Sequence, residues 1–312
     1  MITAFGPHGL PASPLAFGTM QFGGTADEAA SAEMYAACRA VGITHFDTAW
    51  VYTDGESERI TGRLIADERD KIVLATKINY QGSGARDVMW GQWEDSKRRL
   101  GLDHVDILYL HRWNDQSPLI EQLETMAEIQ AQGGFSHLGV SNWAAWQVMK
   151  GQAICAAEGF PPIQVLQPMY NLVKRQAEVE LLPMCQSEGI AVFGYSPLGG
   201  GLLTGKYGTG SAGRLASDSR YMARYGQDWM HDAAAGLSEL AAEAGLHPAT
   251  LAVRWAMAHP GHTAPLISAR SAEQLAPSLA ALSADIPQDV MARVAELSPR
   301  PAPATDRLEE QA

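Results

Sequence analysis

Asp47, Tyr52, Lys77 and His111 are of the residue types that together can deliver a proton to a carbonyl oxygen. A free tyrosine has a pKa of about 10, too high to donate well at neutral pH. A lysine ammonium beside it favours the phenolate and lowers that pKa. A carboxylate next to the lysine keeps it charged and in place. A neutral histidine can hydrogen-bond the carbonyl oxygen and align it. In this scheme Tyr52 is the acid, Lys77 its tuner, Asp47 the partner of the lysine and His111 the orienter. Taken singly each has a plainer reading: a loop cap, a rim salt bridge, a surface aromatic and a satisfied buried histidine. Lys77 alone could also be the Schiff-base nucleophile of a lyase or aldolase. His45 shares the strand face of Asp47 one pair deeper and is read as a packed core histidine. A metal site from His45, Asp47 and His111 is disfavoured, and no metal is expected.

These residues need elements to bring them together. Short apolar, β-branched runs at 15–19, 43–47, 72–77, 105–111, 136–140, 163–167, 190–195 and 264–268 read as strands. Between them lie stretches rich in Ala, Leu, Glu and Gln with helical spacing, such as Met34, Ala37, Cys38 and Val41. Ser117-Pro118 marks a helix start, and Gly101, Gly133 and Gly159 mark helix ends. Strands alternating with helices predict a parallel sheet, and the number of units fits a closed (β/α)8 TIM barrel of the α/β class. A doubly wound sheet is the competing architecture. The expected organisation is one domain over 1–312, with a turn-rich cap in the first 14 residues and a flexible tail at 299–312. A long Gly/Ser/Arg-rich insertion spans 207–227 and could close over a ligand.

A barrel enzyme works at the C-terminal ends of its strands. Those ends carry Asp47 with Tyr52 beyond it, Lys77, His111, Ser141-Asn142, Gln167, Tyr195-Ser196 and, after the last strand, Arg270. The proton-transfer set therefore converges on one face.

Composition excludes several other classes. Of 312 residues, 46% are hydrophobic and 19% charged, which supplies an ordinary core. The net charge is −12, and the longest basic run is Lys97-Arg98-Arg99, read as a solvated helix face, so nucleic acid is not an expected partner. Cys38, Cys155 and Cys185 form no CxxC, which argues for a reducing compartment. The first residues lack a basic region and are broken by Gly and Pro, and the most apolar window, 189–203, is broken the same way. Neither signal peptide nor membrane span is expected, and a cytoplasmic location follows. No GxGxxG follows a strand, so a Rossmann site is unsupported.

Eight strings carry a family resemblance: FGTMQFGG at 17–24, FDTAWVY at 46–52, LATK at 74–77, LYLHRW at 108–113, LGVSNW at 138–143, QPMYNL at 167–172, GYSPLGGGLLTGKY at 194–207 and SARSAEQL at 268–275. In this order the chain resembles the aldo-keto reductase superfamily, from about Leu15 to Leu282. GGGLLTGKY is similar to the bacterial branches related to potassium-channel β-subunits and aflatoxin-aldehyde reductases. The resemblance implies reduction of an aldehyde or ketone to the alcohol with NADPH (NADH being possible), and an Asp/Tyr/Lys/His tetrad matched by Asp47, Tyr52, Lys77 and His111. It implies that Ser141, Asn142 and Gln167 hold the nicotinamide carboxamide and that Tyr195 stacks on the ring. Ser196, Leu198, Gly199, Gly201 and Lys206 match the pyrophosphate loop, and Arg270 and Gln274 match the grip on the 2′-phosphate and adenine. Thr19, Met20, Pro197, Arg214 and Ser278 complete the implied cofactor contacts. Met20, Trp50, Tyr80 and Trp113 would form an aromatic, apolar mouth for a small carbonyl substrate. Three positions depart from the pattern: Ser268 for Gly, Pro277-Ser278 for Glu-Asn, and Trp113-Asn114 for Pro-Asp. The alternative the resemblance allows is a cofactor-sensing interaction subunit with slow turnover, and an oligomer is possible in either case.

Overall fold

The computed structural model describes residues 3–206 and 219–311; Arg214 and the rest of 207–218 lie outside them. Eight parallel strands close a barrel in sequence order, β1 (Ala16–Gly18), β2 (His45–Asp47), β3 (Val73–Ile78), β4 (Val105–Leu110), β5 (Phe135–Ser141), β6 (Ile163–Gln167), β7 (Ala191–Tyr195) and β8 (Ala264–Ile267), with β8 pairing back to β1. The doubly wound alternative is thereby excluded. Apart from the start of β5, where Ser136 is exposed, the strands are largely buried on both faces, which is why they read as apolar runs rather than as alternations. One face points into the barrel, where Ala16, Val73, Ala75, Ile107, Tyr109, Val165, Ala191 and Phe193 pack together. The other, with Phe17, Phe46, Leu74, Leu108, Val140 and Leu166, packs under the helices. The interior is filled by unequal neighbours. A Cβ on Gly139 would lie 2.4 Å from the Tyr109 ring, so the glycine is what lets the tyrosine lie across the barrel.

The turn-rich N-terminal cap is present. Ala4 bridges Pro11, and a short turn at Pro7–Gly9 lies between them. The cap plants Phe5 in the barrel interior, edge-on to Phe193 at 5.5 Å and His137 at 5.6 Å.

The outer layer comprises α1 (Glu28–Ala40), α2 (Glu56–Ile65), α3 (Arg86–Leu100), α4 (Leu119–Ala131), α5 (Ala145–Glu158), α6 (Leu181–Glu188), α7 (Ser219–Tyr225), α8 (Asp228–Glu243), α9 (Pro248–Met257), α10 (Ala272–Leu279) and α11 (Gln288–Glu296). Asp27 caps α1 by accepting from Ala30 N, while Gly101 and Gly159, at φ 68° and 72°, end α3 and α5. The 207–227 insertion is not wholly irregular, because its later part forms α7. Among the described residues no helix is long and apolar enough to cross a membrane.

His45 is indeed packed in the core. It is fully buried, its ring stands edge-on to Phe193 at 4.4 Å, and neither ring nitrogen has a hydrogen-bond partner among the described residues. Burial, with the Lys77 charge second, pushes its pKa down to about 3. His262, held by Gly194 N on Nε2 and by the Ala256 carbonyl at Nδ1, is pushed down by burial to about 4. The unfolded chain protonates both near pH 6.5 while the native state keeps them neutral, so stability falls as pH drops from about 6.5 towards 4. Each histidine contributes a slope of about 1.4 kcal/mol per pH unit in that window. His45→Leu should therefore remove about one proton from the acid slope, read by urea melts at pH 6.0 and 4.5. An unchanged slope would mean that His45 already binds a proton in the native state.

Candidate active site

Alternation along β2, β3 and β4 turns Asp47, Lys77 and Tyr109 inward, and His111 follows β4 at the rim. Lys77 and Asp47 are fully buried and form an ion pair. Lys77 Nζ also donates to the Thr48 carbonyl at 2.7 Å and to Tyr52 Oη at 3.4 Å. Gln167, at the end of β6, donates from Nε2 to the second Asp47 oxygen at 2.9 Å. Tyr52 is half-buried in the turn after β2, and its ring meets that of His111 edge-on at 5.7 Å. Asn142 Nδ2 donates to the His111 carbonyl at 3.0 Å, and His111 Nδ1 is buried with no hydrogen-bond partner among the described residues.

The electrostatics follow from burial and these partners. For Lys77, burial pulls downward, but Asp47 and Tyr52 together outweigh it and the ammonium is held above its ordinary value. It is therefore charged at neutral pH, which disfavours a Schiff-base role. Burial pushes Asp47 upward against the pull of Lys77 and Gln167. Burial, then the Lys77 and Arg112 charges, hold His111 far below its ordinary value, so it is neutral. The net lowering expected for Tyr52 is not what the structure gives. Burial raises its pKa, and Lys77 only moderates that rise.

The turn that carries Tyr52 is strained. Thr53, Asp54 and Gly55 adopt φ 48°, 54° and 89° in succession, a conformation especially unfavourable for a β-branched threonine. Side chains hold it in place. Thr53 Oγ1 donates to the Phe22 carbonyl at 2.7 Å and accepts from Ser57 N at 3.0 Å. Ser57 Oγ donates to the Thr19 carbonyl and is hydrogen-bonded to the hydroxyls of Thr19 and Thr48 at 2.8 and 2.9 Å. Thr19 is fully buried in this network, so its side chain is not presented to a cofactor; Met20 beside it is exposed.

On the facing rim, Ser141 Oγ donates to the Gln167 carbonyl at 2.9 Å and accepts from Asn142 Nδ2 at 3.0 Å. Tyr195 Oη donates to Asn142 Oδ1 at 2.7 Å. Asn142 and Ser196 both take left-handed φ, 58° and 59°, and Asn171 Nδ2 holds the Ser196 carbonyl at 2.9 Å. Pro197 is buried and Leu198 half-buried, and behind them Gly199, Gly200 and Gly201 all have positive φ. A Cβ on Gly200 would lie 2.5 Å from the Tyr221 ring, and one on Gly201 would lie 2.8 Å from Lys206 Nζ. This is a concave turn kept free of side chains beside a lysine, a shape that fits a phosphate. The Gly199 and Gly201 N–H groups, however, are satisfied by the carbonyls of Ser196 and Leu198. These two glycines therefore supply space rather than donors. Arg270 is exposed, with its N–H held by Gln274 Oε1 at 2.9 Å. Ser278 is buried, so it is not presented alongside them.

The fold adds neighbours that the strand-end pattern does not reveal. Trp113 packs edge-on to Trp143 at 4.9 Å and meets Trp146 at 5.6 Å, and Trp146 remains 61% exposed. Trp143 and Trp146 flank the start of α5 at helical spacing, which was the available signal. Tyr80 is partly exposed, lies 4.7 Å from the His111 ring and carries the Arg112 guanidinium over its own ring. Trp50 is half-buried and donates from Nε1 to Asp95 Oδ2 at 3.2 Å. Tyr221 and Tyr225, which pack behind the glycines, also follow helical spacing.

The family model described as "Aldo/keto reductase family" matches residues 14–299. Aflatoxin B1 aldehyde reductase member 2 of Rattus norvegicus is 37% identical over 210 residues, which cover 64% of this chain and 57% of that protein. The chain thus spans little more than half the length of that relative. An uncharacterized oxidoreductase of Bacillus subtilis (strain 168), YrpG, is 30% identical over 322 residues, 97% of each chain. A probable voltage-gated potassium channel subunit beta of Arabidopsis thaliana is 31% identical over 297 residues, 89% of each.

Proposed function

The chain belongs to the aldo/keto reductase family, and from that premise we propose that it is an NADPH-dependent reductase of small aldehydes or ketones in which Tyr52 protonates the substrate oxygen. One observation carries the reading: the unbroken chain from Gln167 through Asp47 and Lys77 to Tyr52 Oη, with a neutral His111 ring against the tyrosine. A nicotinamide cofactor, when bound, supplies the hydride to the carbonyl carbon. The residues of the chain manage the proton. Burial keeps Tyr52 protonated at neutral pH. As its O–H proton passes to the carbonyl oxygen, the phenolate left behind faces the Lys77 ammonium, which Asp47 holds charged. His111, neutral, can offer one ring N–H to the same oxygen and fix its position.

Ser141, Asn142, Gln167 and Tyr195 would hold the nicotinamide end, and the turn from Ser196 to Gly201 with Lys206 the pyrophosphate. Arg270 would take the 2′-phosphate, since a guanidinium fork matches phosphate geometry. Met20, Trp50, Tyr80 and Trp113, extended by Trp146, would give the substrate an apolar, largely aromatic wall. Purified protein should consume NADPH with an activated aromatic aldehyde. Tight NADPH binding without turnover would favour the alternative, a cofactor-sensing interaction subunit; one relative is described as a probable channel subunit.

Arg270→Ala should weaken NADPH binding about tenfold and leave NADH binding unchanged, because only NADPH loses a charge-assisted hydrogen bond. Quenching of tryptophan fluorescence on cofactor titration measures both. Equal weakening of the two cofactors would remove Arg270 from the 2′-phosphate site.

A further inference from the structure

The run Lys97-Arg98-Arg99 does not lie entirely on a solvated face. Arg98 is exposed, but Arg99 turns inward from α3 and reaches the strained turn of Tyr52. Its Nη1 donates to the Trp50 carbonyl at 2.8 Å, two residues before the tyrosine. Its guanidinium also lies over the Trp50 ring, 5.4 Å from the centroid. On the other side of the tyrosine, the guanidinium occupies the space beside Gly55, where an added Cβ would come within 2.4 Å of Nε. The same Nη1 pairs with Glu58 Oε2 at 3.2 Å, and Glu58 is fully buried. Glu58 Oε1 in turn accepts from Thr76 Oγ1 at 2.7 Å, and Thr76 precedes Lys77 on β3. One planar fork therefore touches both ends of the segment 50–55 and ties it, through Glu58, to the strand that carries Lys77.

We propose that Arg99 is a positioning residue for the acid: it clamps the turn 50–55 so that Tyr52 Oη stays within reach of Lys77 Nζ. The proposal rests on the reading of Tyr52 as proton donor. Residues in left-handed conformations persist only where their surroundings over-determine them. Thr53 and Asp54 are such residues, and Arg99 is the charged group that braces the turn from outside the barrel. A lysine at 99 would keep a charge opposite Glu58. It could not at once donate to the Trp50 carbonyl, stack on its ring and fill the space beside Gly55, because an ammonium has neither the plane nor the fork.

The test is a double-mutant cycle of Arg99→Lys with Tyr52→Phe, reading kcat, KM and the NADPH dissociation constant for aldehyde reduction. Arg99→Lys keeps a charge opposite Glu58, and its thermal midpoint, expected within a few degrees of wild type, checks that the variant folds. Its kcat should fall about 10- to 100-fold, the scale of an ångström of misplacement at a reacting group. The KM and NADPH dissociation constant should stay within about twofold. In the Tyr52→Phe background, the same change should lower kcat by less than about twofold, because the clamp then has no proton donor to position. A purely structural role would cut kcat by the same factor in both backgrounds. That result, or a wild-type kcat in Arg99→Lys, would overturn the clamp while leaving Tyr52 as the acid. A wild-type kcat in Tyr52→Phe alone would overturn the acid assignment and the clamp with it.

Discussion

Tyr52→Phe is expected to lower kcat for aldehyde reduction by about two to four orders of magnitude, the contribution of a positioned general acid, with NADPH binding within about twofold of wild type. The substitution removes one oxygen whose partner is Lys77 Nζ at 3.4 Å. Lys77 keeps its contacts with Asp47 and the Thr48 carbonyl, so no buried charge is stranded. The thermal midpoint should therefore move by less than about 2 °C. The phenylalanine ring still fills the space against His111, so substrate access is preserved. A loss confined to kcat means that the hydroxyl acts in the transition state. A loss confined to KM would make Tyr52 a binding residue, and the proton would then need another source. His111 is a poor substitute, because burial and the Lys77 and Arg112 charges keep it neutral. Single-turnover measurement with pre-bound NADPH separates this chemistry from product release.

Much of this site was legible because a parallel barrel writes its geometry simply. Strands buried on both faces appear as apolar runs, and the residue at the end of each run lies on the working rim. Asp47, Lys77, His111, Gln167 and Tyr195 all lie within one residue of such run ends. What failed to show was the direction in which neighbouring polar groups turn. Thr19 lies next to the site in sequence, but its hydroxyl is used by Ser57 and Asp47. Ser278 follows the Arg270 segment but is buried in α10. The upward shift of Tyr52 is hidden from sequence for a related reason. Residue types supply the opposing charge of Lys77, whereas the burial that outweighs it belongs to the folded chain. The pairing of Arg99 with Glu58 joins α3 to α2 across a long stretch of sequence, and no local pattern separates Arg99 from the exposed Arg98 beside it. Composition also concealed α7, since a Gly/Ser/Arg-rich tract reads as loop although Tyr221 and Tyr225 keep helical spacing.

Lys77→Met should be more damaging than Tyr52→Phe, because it costs both function and stability. The lysine has no exposure, and its removal leaves the Asp47 carboxylate buried with only the Gln167 amide. Breaking one side of a buried pair costs about 3–5 kcal/mol. That corresponds to a fall in the thermal midpoint of about 5–10 °C. Aldehyde reduction should fall by about three orders of magnitude, since the phenolate formed at Tyr52 loses its countercharge. The pH dependence distinguishes this account from general damage to the fold. Without Lys77, burial raises the Asp47 pKa against the Gln167 hydrogen bond, so the native state binds a proton there before the unfolded chain does. The defect is then largest at high pH and shrinks as pH falls through that raised pKa, so the gap to wild type should narrow between pH 8 and pH 5. Adding Asp47→Asn removes the stranded charge. The double variant should recover most of the thermal midpoint and lose the extra pH dependence while remaining inactive. Recovery of stability without activity would show that the pair is held for its charge at Tyr52 rather than for the fold. A double variant no more stable than Lys77→Met would mean that the single substitution damages packing, and the pair would then owe its place to the core.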